Sequence, residues 1–127
     1  MPASDILLLA HRIFNECWNE GRLDVVDELL APEHVHHFPD GDVHGPENIK
    51  AMIRNIRERF PDFQITIDDE IVGQDKVALR WTIRGTHQAS GNSVEYTGID
   101  IIRMANGHIV ELWNQMDVVG YKRQLEK

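Results

Sequence analysis

The spacing of apolar residues changes once along this chain, and that change limits the folds it can adopt. As far as Phe60, apolar residues recur every three or four positions, as they do on the buried face of an amphipathic helix. From Phe63 onward they recur at every second position, which is typical of β-strands. Helices that precede strands, instead of alternating with them, predict an α+β domain.

Three helices are predicted in the first half of the chain. They run from the N-cap Ser4 to Gly21, from Leu23 to the residue before Pro32, and from Pro46 to Phe60. The residues between the second and third helices are rich in histidine, glycine and proline, and we predict a short, turn-rich connection there.

Four strands are predicted in the second half, separated by short polar turns. The turns fall at residues 73–75, 90–92 and 106–107, and such turns join antiparallel neighbours. We therefore expect three N-terminal helices packed on a strongly curved antiparallel sheet, forming a cone with an internal pocket. The length of 127 residues fits one domain, 1–127.

Composition and charge limit the partners that the chain can have. The net charge of −8 repels phosphate backbones and no basic run interrupts it, so we expect no nucleic-acid partner. The sequence has no apolar run near 18 residues and begins without a basic leader, which predicts no membrane partner and a soluble, cytoplasmic protein. The single cysteine, Cys17, lies on an apolar helical stripe and is predicted to be a reduced core thiol.

Asp117 is the first candidate for a catalytic group. It stands at the end of an apolar segment that contains Trp113. A carboxyl group that is removed from water keeps its proton to higher pH, which suits a general base near neutral pH. The alternative is structural: Asp117 caps a closing helical turn and accepts amide protons through Gly120 and Tyr121.

Several short motifs along the chain together resemble one protein family. They are FNECWNEGRLDVVDELLAPEHVHH, HGPE at 44–47, RFPDF at 59–63, GQDKV at 73–77, GTH at 85–87, GIDIIRM at 98–104, NGHI at 106–109, and Trp113 with Asp117 and Gln124-Leu125. In this order and spacing they resemble the SnoaL-like polyketide cyclases of the nuclear transport factor 2-like superfamily.

The resemblance implies a fold, an assembly and a reaction. Its members wrap a curved antiparallel sheet around helices to form a deep pocket, and they usually form homodimers. The cyclases close a ring by intramolecular aldol condensation of a polyketide methyl ester without metal or organic cofactor, using the aspartate that Asp117 matches. We therefore expect no cofactor and a small apolar or polyketide-like carbonyl compound as ligand.

The resemblance and the strand pattern add two further catalytic candidates. The resemblance favours His37 as a donor in the pocket, and it favours His87 of the GTH motif as a second donor near the entrance. Asp100 shares one face of its predicted strand with Gly98, Ile102 and other mostly apolar residues. That face either lines the pocket or lies outside it, where Asp100 would pair with an arginine.

Further residues are candidates for substrate binding. Trp113 and Trp18 are able to stack on a flat ligand, although aromatic residues at this spacing also form cores. Phe14 occupies the helical region where an isomerase of this superfamily would carry a phenol donor. Arg80 is either a clamp for a carboxylate or ester, or an arginine on the solvent or dimer face.

The histidines do not form a recognised metal site. His34 and His36 lie two positions apart and would point to one side of a strand. No third ligand can be identified from the sequence, so we predict no bound metal.

Two functions of different class remain. The first is a cyclase or isomerase with Asp117 as acid and base, and the second is a non-catalytic ligand-binding or dimeric partner module. The short segment between His87 and Tyr96 favours the second, because the cyclases tend to carry a longer hairpin there.

Overall fold

A six-stranded sheet forms one layer of the molecule, and helices cover its inner face. The computed structural model describes residues 2–126. Its helices are α1 (Ala3–Arg12), continued by a π-helical segment (Ile13–Asn19), α2 (Leu23–Leu29), α3 (Gly45–Arg59) and α4 (Val118–Leu125). Its strands are β1 (Leu30–Phe38), β2 (Gly41–His44), β3 (Gln64–Gly73), β4 (Lys76–Thr86), β5 (Ser93–Ala105) and β6 (His108–Met116).

The sheet is curved and mixed, with the strand order β2-β1-β6-β5-β4-β3. Strands β3 to β6 form the predicted run of antiparallel hairpins, and the turns that join them fall where the sequence places them. Gln74 and Asn106 adopt positive φ angles of 55° and 52° in two of these turns. The α+β architecture with helices packed on a curved sheet is therefore confirmed.

The sequence analysis missed the two strands that precede α3. It predicted a turn-rich connection, but β1 and β2 form a hairpin there, and β1 also pairs in parallel with β6. Strand β1 does alternate between buried and more exposed positions, but two of its buried side chains are His34 and His36. The sequence analysis looked for apolar residues at every second position. Strand β1 does not show that pattern, because two of its buried positions hold imidazole side chains. The sheet is consequently mixed instead of purely antiparallel.

The first helix changes its winding before it ends. After Arg12 the backbone continues as a π-helix, and the amide of Glu20 donates to the carbonyl oxygen of Asn15, five residues earlier. The side chain of Asn19 then joins this segment to the sheet: its Nδ2 donates to the carbonyl oxygen of Ile65 at 2.9 Å, and its Oδ1 accepts from the Ile65 amide at 2.7 Å. π-Helical turns are rare and are often found at functional sites.

The hydrophobic core lies between the helices and the inner face of the sheet. On β5 the even-numbered side chains face this core and the odd-numbered ones face outward. The core residues of β4 and β5 include Val77, Leu79, Trp81 and Ile102. No helix within residues 2–126 has the length and apolar character needed to cross a membrane.

Gly98 leaves room for the Trp81 ring against the neighbouring strand. The two residues are direct partners between β4 and β5. A Cβ atom at position 98 would lie 2.3 Å from Trp81 Cζ2 and 2.7 Å from the carbonyl oxygen of Gln115. These distances are too short for any side chain, so the local packing depends on glycine here.

We predict that Gly98→Ala lowers the free energy of unfolding by about 1–3 kcal/mol, because the added methyl group overpacks the contact with Trp81. The matched control is Gly73→Ala, where a Cβ atom would meet nothing within 4 Å and the stability should stay nearly the same. Urea unfolding of the three proteins measures the effect. Equal stability of Gly98→Ala and the original chain would contradict the prediction.

Candidate active site

The cone contains a largely apolar cavity between the first helix, α3 and the inner face of the sheet. It opens to solvent, and about 90 Å³ of it is open to the centre of a water-sized sphere. Binding sites for small molecules are commonly concave, with mostly apolar walls and a few polar groups. The residues that line it are Ile13, Phe14, Trp18, His36, Phe38, Met52, Ile56, Phe63, Ile65, Trp81, Ile83, Tyr96, Asp100, Leu112, Asn114 and Met116.

Three polar groups meet on the sheet side of this cavity. Asp100 and Asn114 are direct partners on β5 and β6, and Asn114 Nδ2 donates a hydrogen bond of 2.8 Å to Asp100 Oδ1. Trp81 lies on the adjacent strand β4. Its indole Nε1 and the Asn114 Oδ1 atom are buried without a hydrogen-bond partner in the described residues. The cluster therefore offers one free donor and one free acceptor beside a carboxyl group.

The position of Asp100 changes its acidity. Asp100 is only 5% exposed to solvent. Burial raises the pKa of its carboxyl group from the ordinary 3.8 to about 6. The indole of Trp81 and the amide of Asn114 act in the opposite direction, because both stabilise the ionised carboxylate. Only the Asn114 contact has hydrogen-bond geometry. Such a carboxyl group can accept or release a proton near neutral pH.

Two buried histidines lie on the inner face of β1. His36 lines the cavity and stacks on Phe38 with a centroid distance of 4.6 Å. His34 lies next to it, with its Nε2 atom 3.2 Å from His36 Nδ1. Burial lowers the pKa of His34 to about 4 and that of His36 to about 3, so both imidazoles are neutral at pH 7.

The structure brings three of the residues selected from the sequence into the cavity. Phe14 and Trp18 line it from the π-helical segment, and Asp100 lines it from the sheet. Of the two positions considered for Asp100, the pocket-lining one is observed, and no arginine pairs with it in the described part of the chain. Phe14 is fully packed, whereas Trp18 is only partly buried and contacts Phe63.

Asp117 lies elsewhere. It is the N-cap of α4, and its Oδ1 atom accepts a hydrogen bond of 2.9 Å from the Gly120 amide. Its side chain is exposed and does not line the apolar cavity. The structural alternative considered for this residue is therefore the arrangement observed. The catalytic argument for Asp117 assumed a buried side chain, but this side chain is exposed. A catalytic role for Asp117 stays a prediction to be tested.

Three other candidates lie on the outer face of the sheet, away from the cavity. His37 is bound on both sides, to Asp42 at 2.9 Å and to Glu111 at 2.7 Å, and these hydrogen bonds raise its pKa. Its ring stacks on Trp113 with a centroid distance of 5.5 Å. Arg80 is exposed on the same outer face. None of these three side chains lines the cavity.

The remaining candidate, His87, has local contacts. His87 closes the β4–β5 turn, where its Nδ1 atom lies 2.8 Å from Ser90 Oγ and its ring packs against Phe60. It does not line the cavity.

Within residues 2–126, no three histidine, cysteine, aspartate or glutamate side chains come together in an arrangement that could hold a metal ion.

The sequence analysis did not select His36, Asn114, Trp81 or Tyr96 for the cavity. A parity argument would have found Asn114, because it lies two residues from Leu112 and from Met116 on a strand with alternating burial. For His36 the same argument needed β1 to be recognised as a strand. His37 was selected instead, and the shift of one residue moves the side chain to the opposite face.

We predict that the Asp100→Asn variant gains stability relative to the original chain as the pH rises from 4 to 7.5. Because the pKa of Asp100 is higher in the folded state, the folded protein binds the proton more tightly, and this stabilisation is lost as the pH rises through about 6. The difference between the two proteins should change by about 3 kcal/mol. Urea unfolding at several pH values measures it, and a difference that does not depend on pH would contradict the buried position of Asp100.

Comparison with known proteins agrees with this fold. TsrD from Streptomyces laurentii is 30% identical and superposes with a TM-score of 0.89 over 98% of this chain and 97% of its own. IdmH, a candidate polyketide cyclase from Streptomyces antibioticus, is 30% identical with a TM-score of 0.84 over 96% of this chain and 99% of its own. A candidate polyketide cyclase from Bacillus cereus is 27% identical with a TM-score of 0.87 over 98% and 82%.

Among curated protein sequences none matches the chain. The family model of the SnoaL-like polyketide cyclases matches residues 8–125, which include every element that lines the cavity. The chain therefore belongs to the SnoaL-like polyketide cyclase family and has the nuclear transport factor 2-like fold.

Proposed function

We propose that this protein closes a ring in a polyketide-like carbonyl compound by an intramolecular aldol reaction, with Asp100 as the acid and base. The observation that carries the proposal is a carboxyl group with a raised pKa, buried in the wall of an apolar cavity beside an unpaired indole donor. Family membership supports a polyketide cyclase type of function. The names of IdmH and of the Bacillus cereus protein point to the same class of reaction.

The groups in the cavity are suited to each step of this reaction. The Asp100 carboxylate removes a proton from a carbon next to a carbonyl group, which gives an enolate and a neutral carboxylic acid. The enolate carbon attacks a second carbonyl carbon in the same molecule and forms the new carbon–carbon bond. The oxygen of that carbonyl becomes an alkoxide and takes the proton back from Asp100, which restores the carboxylate.

The unpaired polar atoms have roles that follow from their position. Trp81 Nε1 is a donor for the developing enolate oxygen, because a fixed N–H in a dry site stabilises negative charge without reorganisation. The Nδ2 group of Asn114 holds Asp100 in place through their hydrogen bond. The Oδ1 atom of Asn114 has no partner in the described residues and is able to accept a hydrogen bond from a substrate hydroxyl group. Among residues 2–126, no lysine or arginine lines the cavity, so it suits an uncharged ester or ketone better than a free acid.

The test compares two aspartates in the same protein. The reaction measured is the exchange of the α-proton of a 2-methyl-β-keto ester for deuterium in D₂O. NMR gives its rate, and the rate in buffer without protein is subtracted. We predict that Asp100→Asn lowers the exchange rate by at least about 100-fold, as expected when a general base is lost. In the original chain the rate should rise with pH to a plateau, with its midpoint near the Asp100 pKa of about 6.

Asp117→Asn is the matched control, because Asp117 is exposed and its carboxylate is bound to the Gly120 amide. We expect it to keep most of the exchange activity. Loss of activity in Asp117→Asn with retention in Asp100→Asn would return the catalytic role to Asp117. Absence of exchange in the original chain with every ester tested, together with unchanged ligand affinity in Asp100→Asn, would favour the non-catalytic binding module.

We further propose that the protein forms a homodimer through the outer face of its sheet. Strand register places Ile71, Ala78, Ile101, Trp113 and His37 in one row across β3, β4, β5, β6 and β1. The isoleucines in this row are unusually exposed, at 71% and 40%. The neighbouring rows contain charged residues: Asp69 lies opposite Arg80 in the strand register on one side, and Arg103 is bound to Glu111 on the other. An apolar band with a charged rim of both signs is able to pair with a second copy of itself.

We predict that Ile101→Asp raises the dissociation constant of this dimer by at least about tenfold, because it places a charge in the centre of the apolar band. Sedimentation velocity over a concentration series measures the effect. Leu8→Asp is the control, since Leu8 is 59% exposed on α1, outside the sheet. A monomeric original chain at all concentrations, or equal effects of the two variants, would overturn the proposed interface.

A further inference from the structure

The proposed reaction leaves unexplained a group of contacts around Tyr121 of α4. Phe60 packs on the Tyr121 ring with a centroid distance of 6.3 Å and on the His87 ring with one of 5.4 Å. Arg59 Nη2 donates a hydrogen bond of 3.3 Å to the Tyr121 hydroxyl group. None of these four side chains lines the cavity. The end of α3 therefore holds Tyr121 in place from outside the cavity.

The side chain of Gln124 fastens α4 to the edge of β5. Its Oε1 atom accepts a hydrogen bond of 2.6 Å from the Glu95 amide, and its Nε2 group donates one of 2.8 Å to the Glu95 carbonyl oxygen. Strand β6 pairs with β5 only from Gly98 onward, so it does not extend along the edge of β5 at Glu95. One amide side chain takes the place of a strand there, and it fixes the position of α4 along β5.

Tyr121 is joined to the inner face of the sheet through two aromatic contacts. Its ring lies 4.9 Å from that of Tyr96, and the Tyr96 ring meets the Trp81 indole edge to face at 6.1 Å. Tilted and edge-to-face contacts at these distances are favourable. Tyr96 and Trp81 both line the cavity. The three rings therefore form a continuous series from α4 to the cavity wall.

The strand register shows where the indole lies along β5. Tyr96, Gly98 and Asp100 are successive inner-face positions of this strand, about 7 Å apart. A Cβ atom at Gly98 would collide with Cζ2 and Cη2 of Trp81, so the six-membered ring of the indole lies over Gly98. The indole is thus placed between Tyr96 and Asp100. A displacement of Tyr96 would give it room to move away from the carboxyl group.

We propose that Tyr121 is a positioning residue that acts through the Tyr96 ring to keep the Trp81 indole in place. Gln124 holds α4 at the position along β5 that this contact needs. The inference rests on the proposed function, because Trp81 Nε1 is taken as the donor to the enolate oxygen. Such a donor is most effective when it is fixed before the reaction begins, since no reorganisation is then needed. Tyr121 therefore affects the rate of proton transfer from outside the cavity.

The first experiment observes Trp81 directly and needs no substrate. Its indole N–H signal is recorded by ¹H–¹⁵N correlation from pH 4 to 7.5, with Trp81→Phe for assignment. In the original chain the signal should move with a midpoint near 6, as Asp100 ionises, and Asp100→Asn should abolish this movement. We expect Tyr121→Ala to reduce its amplitude by about half or more, because the effect of a charge falls with distance. Tyr121→Phe keeps the ring and should keep the amplitude.

Two further variants complete the comparison. Val119→Ala removes a side chain that is 60% exposed on the same helix, and it should leave the amplitude unchanged. Gln124→Met loses both hydrogen bonds to Glu95 and should reduce the amplitude. A Trp81 signal that does not move near pH 6 in the original chain, or that moves equally in Tyr121→Ala and Val119→Ala, would overturn the proposal. If Tyr121→Ala does not fold, Gln124→Met decides by the same comparison.

The second experiment uses the exchange assay described above. We expect Tyr121→Ala to lower kcat at least about tenfold, as the partial loss of a fixed donor would. Its KM should change less than about threefold, because the Tyr121 side chain does not line the cavity. Tyr121→Phe should restore kcat. An unchanged kcat in Tyr121→Ala, or a loss confined to KM, would overturn the role in the reaction.

Failure of this inference and failure of the proposed function give different results. If the original chain shows no exchange with any ester, the proposed function is lost, yet the Trp81 signal still decides whether Tyr121 fixes the indole. If exchange depends on Asp100 but Tyr121→Ala retains both the rate and the movement of the Trp81 signal, only the inference about Tyr121 is lost.

Discussion

The hydrogen bond from Asn114 to Asp100 joins two neighbouring strands inside an apolar cavity, and its length of 2.8 Å depends on the strand register. A buried carboxyl group without such a partner is costly, because it loses its hydration and gains nothing in return. The register places both side chains on the inner face of the sheet. A slip of one residue between β5 and β6 would move one of them to the outer face and leave the other without its partner.

The rest of the cavity surrounds this pair with mostly apolar residues and fixes the position of Trp81. The ring of Trp81 lies over Gly98, the residue two positions before Asp100, and only glycine leaves room for it. On the other side, the π-helical segment turns Phe14 and Trp18 toward the same space. These walls are mostly apolar, and a fixed N–H donor is more effective in surroundings of low polarity.

The sequence predicted the helices and strands in which apolar residues recur with a clear period. It did not predict the elements in which polar residues are buried. The alternation on β5 put Asp100 on a face with apolar neighbours, but periodicity alone does not say which face of a sheet points inward. Asp117 follows an apolar strand and looked buried, yet the chain turns into α4 at that residue and its carboxylate caps the helix. For His36 and His37 the difference was one position on a strand, β1, whose buried histidines hid its pattern.

The balance of forces on Asp100 explains why a carboxyl group and an amide, instead of two carboxyl groups, meet in this cavity. A second acid at position 114 would raise the pKa of Asp100 further, since two neighbouring negative charges repel, and both groups would not be ionised together near neutral pH. An amide stabilises the charged form of Asp100 with its N–H group, while burial opposes that charge. With a pKa of about 6 the carboxyl group is mostly ionised at pH 7, yet it binds a proton more strongly than a carboxylate in water does. A general base needs both properties at once, because it must be free to accept the proton and strong enough to remove it from carbon.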